Sequence, residues 1–364
     1  MVKRPVLGIS IGDPAGIGPE IAIKALSRKD IYELAIPIVY ADRIVLEDAL
    51  KVTGKQLQLH LIKEHKEALG SPEIIEYIEA GVIAEPGDYS YGTAAAKSGD
   101  AAFQYVFKAL QDALAGKIAA VVTCPINKEA INMAGHHFPG HTEIFAHYTK
   151  AKNYGMLLSA GNKENSLHVI HATTHVSLRQ ACDLINKERV LDAIRLADLA
   201  LKLMGKKNGR IAVAGLNPHS SENGLFGHEE KRAIIPAVEE AKALGLDVAG
   251  PIPPDTVFVR ALSGQFDIAV AMYHDQGHIP LKLIGFSLGK DPDSSSRVRG
   301  INTTIGLPII RTSVDHGTAF DKACKNLSSE ESLLDALDMT LAFAKNWDKA
   351  SLFQTLLEDS NPQC

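Results

Sequence analysis

Short apolar runs alternate with amphipathic stretches along nearly the whole chain. Continuous apolar runs at 6–11, 35–40, 117–123 and 268–273 read as buried strands, because a strand covered on both faces has no polar side. The stretch 55–62 reads as a further strand, and 302–311 is strand-like. Between the strands, apolar residues recur at helical spacing. Phe103, Val106, Leu110 and Leu114 mark a long helix over 93–114; helices are also expected over 43–52, 186–203, 231–244 and 331–347. A glycine-rich turn, 12–20, leads from the first strand into a helix over 20–26, and another helix opens near Asp255. Residues 73–86 fit neither period, and the Gly-, Ser- and Asp-rich segment 287–300 predicts a loop. Strands alternating with helices predict an α/β architecture with mostly parallel strands.

What closes each apolar run matters more for function. In open α/β sheets, ligands bind outside the carboxyl ends of the strands. The run 268–273 ends in His274, Asp275 and Gln276, so it delivers an imidazole, a carboxylate and an amide to that edge. The stretch 166–175 ends in His175, and 211–219 ends in Asn217 and His219. Three histidines in one context form a set that a divalent metal would accept. Against this, a single histidine after a strand is more often a surface or hydrogen-bonding residue, and no HExxH motif is present. Both readings stay open on the residues alone.

Other strand ends add candidates. The run 117–123 leads into Cys124, Asn127 and Lys128; Cys124 fits a small buried thiol better than a nucleophile. The loop 135–143 carries His136, His137 and His141, with Thr142 placed to cap a helix that Glu143 begins and that runs to residue 150. A helix N-terminus beside His141 suits a phosphate or carboxylate. The turn Gly12-Asp-Pro-Ala-Gly-Ile-Gly-Pro-Glu20 reads either as an anion or cofactor site or as a structural turn, and it is not a GxGxxG fingerprint.

Composition narrows the class. A chain of 364 residues has room for two domains or one large one. With 46% hydrophobic and 22% charged residues and a net charge of -5, nothing points to nucleic acid or an anionic membrane. The four cysteines are scattered without a CxxC pair, which argues for a reducing compartment. No apolar run is long enough to span a bilayer, so a cytoplasmic protein is expected.

Six motifs in order then resemble one enzyme family. They are Gly12-Asp-Pro-Ala-Gly-Ile-Gly-Pro-Glu20, Gly140-His-Thr-Glu143, Ala172-Thr-Thr-His175, Gly215-Leu-Asn-Pro-His219, Ala271-Met-Tyr-His-Asp-Gln-Gly277 and Arg311-Thr-Ser-Val-Asp-His-Gly-Thr-Ala319. Together they look like the 4-hydroxythreonine-4-phosphate dehydrogenase family of pyridoxine biosynthesis, over nearly the whole chain. The resemblance implies a two-domain α/β/α fold similar to isocitrate and isopropylmalate dehydrogenases, with the active site in an interdomain cleft. It implies a first domain of 1–122 plus 285–364 on the cofactor side and a second of 123–284. It also implies a homodimer, NAD or NADP, and one divalent ion (Zn, Co or Mg) on His175, His219 and His274, with His274 reaching across the dimer interface. Family substrate contacts match His141, Thr142, Lys282, Asn302 and Arg311, and the adenosine loop matches His316, Gly317, Thr318 and Ala319.

The implied reaction oxidises the 3-hydroxyl of 4-hydroxy-L-threonine 4-phosphate and then releases CO₂ to give 3-amino-2-oxopropyl phosphate. Lys128, Asp255 and Asp275 are the candidate bases. The stretches 223–227, 254–258 and 275–282 look closer to family members acting on 4-phospho-D-threonate or 4-phospho-D-erythronate. Two departures stand out: extra residues around 287–299, and Lys322-Ala-Cys-Lys325 in place of a glycine-containing run. A metal-dependent phosphohydrolase or lyase, or a sugar-phosphate-binding protein, would use some of the same residues without a nicotinamide.

Overall fold

The fold is that of a computed structural model, which describes residues 4–161, 165–287, 297–298 and 300–347. Its strands are β1 (Val6–Ser10), β2 (Ile36–Tyr40), β3 (Gln58–Leu61), β4 (Ile74–Ile78), β5 (Ala120–Thr123), β6 (Gly155–Gly161), β7 (Ser166–His171), β8 (Ile211–Ala214), β9 (Val248–Ile252), β10 (Ile268–Ala271), β11 (Phe286–Ser287), β12 (Arg297–Val298), β13 (Gly300–Ile305) and β14 (Ile310–Val314). Its helices are α1 (Gly18–Leu26), α2 (Lys29–Leu34), α3 (Arg43–Thr53), α4 (Ala96–Leu114), α5 (Lys128–Met133), α6 (His141–Thr149), α7 (Leu178–Leu184), α8 (Lys187–Leu203), α9 (Ile235–Ala243), α10 (Pro254–Leu262), α11 (His274–Gly285) and α12 (Glu331–Asn346).

The chain divides into two units. Unit 1 takes the described residues within Met1–Ala151, Leu288–Ile301 and Leu307–Ala344. Unit 2 takes those within Lys152–Ser287, Asn302–Gly306 and Lys345–Cys364. Residues 123–151, placed above with the second domain, group with unit 1. The reason is local: α4 and α5 pack so closely that a Cβ on Gly99 would lie 2.0 Å from the Ala130 carbonyl oxygen.

In unit 1 the strand order is β3-β4-β2-β1-β5-β14, and every neighbouring pair is parallel. In unit 2 the order is β13-β6-β7-β10-β8-β9; β7, β10, β8 and β9 run parallel, and β6 is antiparallel to β7. Strands β5, β8 and β10 are buried at every residue, as expected for strands that are apolar throughout apart from Thr123 at the end of β5. Parallel pairing forces a crossover after each strand, and helices supply it. The α/β class expected from the sequence is therefore what the chain adopts.

Some elements differ from the expectation. The ambiguous stretch 73–86 contains β4, whose centre is buried. The strand-like 302–311 spans two strands, with Gly306 at φ +93° in the turn between them. The helix expected over 231–244 begins with a widened turn, Glu230–Ile234, before α9. Of the expected loop 287–300, residues 288–296 and 299 lie outside the described residues. Among the described residues, no helix is long and apolar enough to cross a membrane.

Candidate active site

In unit 2, β10 lies between β7 and β8, so three chain segments leave the parallel strands side by side. His274 is the first residue of α11, just beyond β10. His175 does not end a strand: β7 stops at His171, and His175 sits in the exposed connection to α7. His219 lies in a turn, Pro218–Gly224, that follows β8. The rings of His175 and His274 are 5.6 Å apart, centroid to centroid. His274 Nδ1 is 2.7 Å from Asp275 Oδ1, so its Nε2 is the nitrogen left for a ligand. On its other side His274 stacks on His278 at 3.6 Å and 11°.

The turn that carries His219 is strained. His219, Ser220, Ser221, Glu222 and Asn223 all have positive φ, from 46° to 67°. Each costs about 1–2 kcal/mol for a residue with a Cβ. A buried carboxylate opposes that cost: Glu230 Oε1 accepts the N–H groups of Leu216 and Asn217 at 2.9 and 2.8 Å. Glu230 Oε2 and Glu229 Oε2 both accept from the Asn217 amide, at 2.9 and 2.8 Å. That bond and burial-opposed backbone contacts hold the Glu229 carboxyl below its ordinary range.

A divalent ion fits this donor chemistry, since neutral imidazoles suit Zn or Co. Among the described residues, however, no set of three or more His, Cys, Asp or Glu side chains converges to hold a metal within one chain. Of the other unit 2 candidates, Asp255 is exposed in the first turn of α10 and Asp275 is engaged with His274. Lys282 is in the last turn of α11, and the Asn302 amide on β13 lies 3.0 Å from Met156 Sδ.

Unit 1 assembles a different kind of site. Arg311 on β14 is 2% exposed, and its Nη2 donates to Thr123 Oγ1 at the end of β5, 2.8 Å away. Its guanidinium carbon sits 5.6 Å from the centroid of the Phe145 ring. Burial pushes its pKa down to about 9, with Glu143 pulling it back, so it stays charged at neutral pH. His141 begins α6, and Gly140, not Thr142, takes the cap; Thr142 falls in the first turn. His141 is partly exposed as a residue, but its Nε2 is buried and has no hydrogen-bond partner among the described residues. Burial, then Arg311, then Lys128 hold its pKa well below the ordinary histidine value. Lys128 is exposed at the start of α5, which Asn127 caps by accepting from Ala130 N–H at 2.9 Å. A buried guanidinium beside a neutral imidazole and a helix N-terminus make a place for a phosphate or carboxylate.

The glycine-rich turn packs against the expected adenosine loop within the same unit. A Cβ on Gly16 would meet Thr318 at 2.9 Å, and Ile17 N–H donates to Thr318 O at 3.0 Å. Gly12 has φ +72°, and a Cβ there would lie 2.1 Å from Pro125 O. Glu20 accepts from Cys324 and Asn326 N–H at 2.5 and 3.0 Å, which pins the chain after the loop. Asp13, fully buried, has its carboxyl pushed up to about 6 by desolvation against Ala15 and Ser98. His316 Nδ1 is 3.1 Å from Gly317 O, and Ala319 adopts φ 42°.

Several contributors were not singled out from the sequence. Thr123 and Glu230 carry no local motif, and Thr173 and His278 fall inside quoted stretches without being given a role there. Gln276, read as an amide delivered to the strand edge, is 8% exposed and turned inward.

Comparison with known proteins agrees with these motifs. A protein-family model described as "Pyridoxal phosphate biosynthetic protein PdxA" matches residues 33–340. The chain is similar to D-threonate 4-phosphate dehydrogenase of Salmonella typhimurium, 44% identical over 345 residues, covering 94% of this chain and 100% of the relative. The enzyme of that name from Cupriavidus necator is 45% identical over 334 residues, covering 92% and 95%. The crystal structure of a 4-hydroxythreonine-4-phosphate dehydrogenase from Burkholderia phymatum is similar at 42% identity and a TM-score of 0.78, covering 94% of this chain and 98% of that one.

The depressed histidine gives a test of the unit 1 site. An unfolded chain takes up a proton on His141 near the ordinary value of about 6.5, and the folded chain does not. This residue's contribution to stability is thus present above that pH and lost as pH falls through it. We expect ring NMR signals of His141, assigned by comparison with a His141→Asn protein, to stay in the neutral form on acidification until the chain unfolds. A titration of the folded ring at the ordinary histidine pH would contradict the geometry.

Proposed function

Because the chain belongs to the PdxA family and is an oxidoreductase, we propose that it oxidises the 3-hydroxyl of 4-phospho-D-threonate with NAD or NADP and a divalent metal. The resulting β-keto acid loses CO₂ and takes up a proton, leaving 3-hydroxy-2-oxopropyl phosphate. The hydride and the hydroxyl proton leave together as reduced nucleotide and H⁺, so the step balances. The family membership replaces the phosphohydrolase, lyase and binding-protein alternatives with a redox reaction. The D-threonate reading is supported by the names that the relatives at 44% and 45% identity carry. The aminated substrate, 4-hydroxy-L-threonine 4-phosphate, is the second reading, supported by the name of the Burkholderia structure.

The observation that carries a phosphorylated substrate is the buried Arg311 beside the buried, partnerless Nε2 of His141. A phosphate oxygen would accept from both, and Thr142 in the first turn of α6 adds a hydroxyl. Lys282 and Asn302 would hold the rest of the acid. His175, His219 and His274 would hold the ion, and His316, Gly317, Thr318 and Ala319 the adenosine. When bound, the ion polarises the alcohol and the ketone it becomes, and the nicotinamide accepts the hydride. Asp275, bonded to His274, serves as its orienting partner. That leaves Lys128 and Asp255 as the candidates for taking the hydroxyl proton.

The protein would act as a homodimer. Exposed apolar side chains in unit 2, among them Phe226, Val259, Ile279 and Leu283, favour burial against a second copy. Donation of His274 to the partner's site is the reading implied by the family. The 5.6 Å approach of His175 to His274 within one chain favours the other split, in which these two act together and His219 crosses.

Two measurements test these proposals. Absorbance of reduced nicotinamide, followed with each phosphorylated acid, both nucleotides and added Zn, Co or Mg, should show kcat/KM for 4-phospho-D-threonate higher by at least about tenfold. No reduction with either acid under any combination would refute the reaction. Subunit exchange between inactive His175→Ala and His274→Ala proteins should restore activity if His274 crosses the interface, because one heterodimer site is then whole. Absence of recovery there, with recovery on mixing His219→Ala and His274→Ala, would instead assign the crossing to His219.

A further inference from the structure

Two buried side chains tie together the segments that carry the three histidines, and both meet at Met272. Thr173 is 1% exposed, and its Oγ1 donates to Met272 O at 2.8 Å. Thr173 stands two residues before His175, and Met272 two residues before His274. Gln276 reaches the same residue from the other side. Its Oε1 accepts Met272 N–H at 2.6 Å, while its Nε2 donates to Gly215 O at 2.8 Å. Gly215 opens the segment that Glu230 clamps and that carries His219. The amide orientation is set by its partners, since only the oxygen can face an N–H and only the nitrogen a carbonyl.

The close seating of α11 makes this arrangement possible. A Cβ on Gly277 would lie 2.3 Å from His171 Nε2 and 2.8 Å from Val169, so only glycine lets the first turn of α11 rest on β7. Gln276 then points into the layer instead of toward solvent. The backbone bond nearest the histidines between these two segments, among the described residues, is Ala172 N–H to Ala271 O at 2.8 Å. The side-chain bonds of Thr173 and Gln276 continue the connection by one residue toward the histidines.

We infer that Thr173 and Gln276 are positioning residues for the metal, fixing the spacing of the His175, His219 and His274 segments through the Met272 peptide groups. The inference rests on the metal reading proposed above. Neither residue touches the ion; each acts through the backbone that carries a ligand. Buried bonds of this kind are directional, so losing one lets a segment shift by a fraction of an ångström, and outer-shell losses typically weaken metal affinity about 10–100-fold.

The test uses the full-length protein loaded with Co²⁺, whose visible absorption bands report ligand number and geometry. Thr173→Val removes only the hydroxyl donor, and Thr173→Ser keeps it. Gln276→Glu keeps the shape but presents an acceptor to Gly215 O. We expect Thr173→Val and Gln276→Glu to bind Co²⁺ about 10–100-fold more weakly, with altered bands, and Thr173→Ser to restore both. A merely structural role would lower the urea unfolding midpoint and leave the bands of the folded protein unchanged. Native-like affinity and bands in both Thr173→Val and Gln276→Glu would overturn the inference while the metal reading stands. Should Gln276→Glu not fold, the Thr173 pair decides alone. A native protein that takes up no Co²⁺ would overturn the metal reading and this inference with it.

Discussion

The parallel register of β10 between β7 and β8 is the constraint from which the unit 2 site follows. Ala269, Val270 and Ala271 pair with Val169, Ile170 and His171, and Ile268, Ala269 and Val270 pair with Ile211, Ala212 and Val213. With the strands locked at that register, their carboxyl ends stop within a residue or two of one another. Whatever follows them must emerge together. Strands β8 and β10 are wholly apolar, so they contribute no chemistry of their own; they decide only where polar residues appear. The exit segments are then free to be irregular, and the Pro218–Gly224 turn uses that freedom. Its run of positive φ values is kept by Glu230 and Glu229, so strain near His219 is balanced by charge-assisted bonds a few residues away.

Unit 1 solves the opposite problem, that of keeping charge inside. Burying a guanidinium is costly unless it is satisfied, and Arg311 has a hydroxyl from Thr123 and the face of Phe145. Burial, and then the same field that destabilises a second cation, keep His141 neutral. An arriving dianion would relieve both, which is the physical reason for proposing phosphate at this corner. The glycine turn serves a neighbouring purpose. Gly12 and Gly16 have no room for a side chain because Pro125 and Thr318 occupy it, so the turn is tightly structural and packs against the His316–Ala319 loop.

Most of the fold was legible because uninterrupted apolar runs and helical stripes survive in the sequence: β1, β2, β5, β10, α4 and α8 fall where those patterns put them. Boundaries were less legible. His175 reads as a strand end, yet β7 stops at His171, and past it a link to the β10 segment is made by the Thr173 hydroxyl on Met272 O. Thr142 has the chemistry of a cap, but the backbone enters α6 two residues earlier than expected, at His141 with Gly140 as the cap. The strand β4 was hidden by Glu76, whose carboxylate is buried against Leu69 and Gly70 N–H and so looks polar only in sequence. In the site, residue types were legible and their directions were not. Gln276 and Asp275 are adjacent and polar, and only the seating of α11 on Gly277 turns one inward and leaves the other beside His274. Long-range partners such as Thr123 for Arg311 carry no local signal at all.

The central claim is that His175, His219 and His274 hold one divalent ion. Zinc X-ray absorption on the metal-loaded protein tests it most directly. The account predicts an inner shell containing three imidazole nitrogens at about 2.0–2.1 Å, falling to two in a His219→Ala protein that remains folded. An inner shell of oxygen alone, or one unchanged by that substitution, would contradict it.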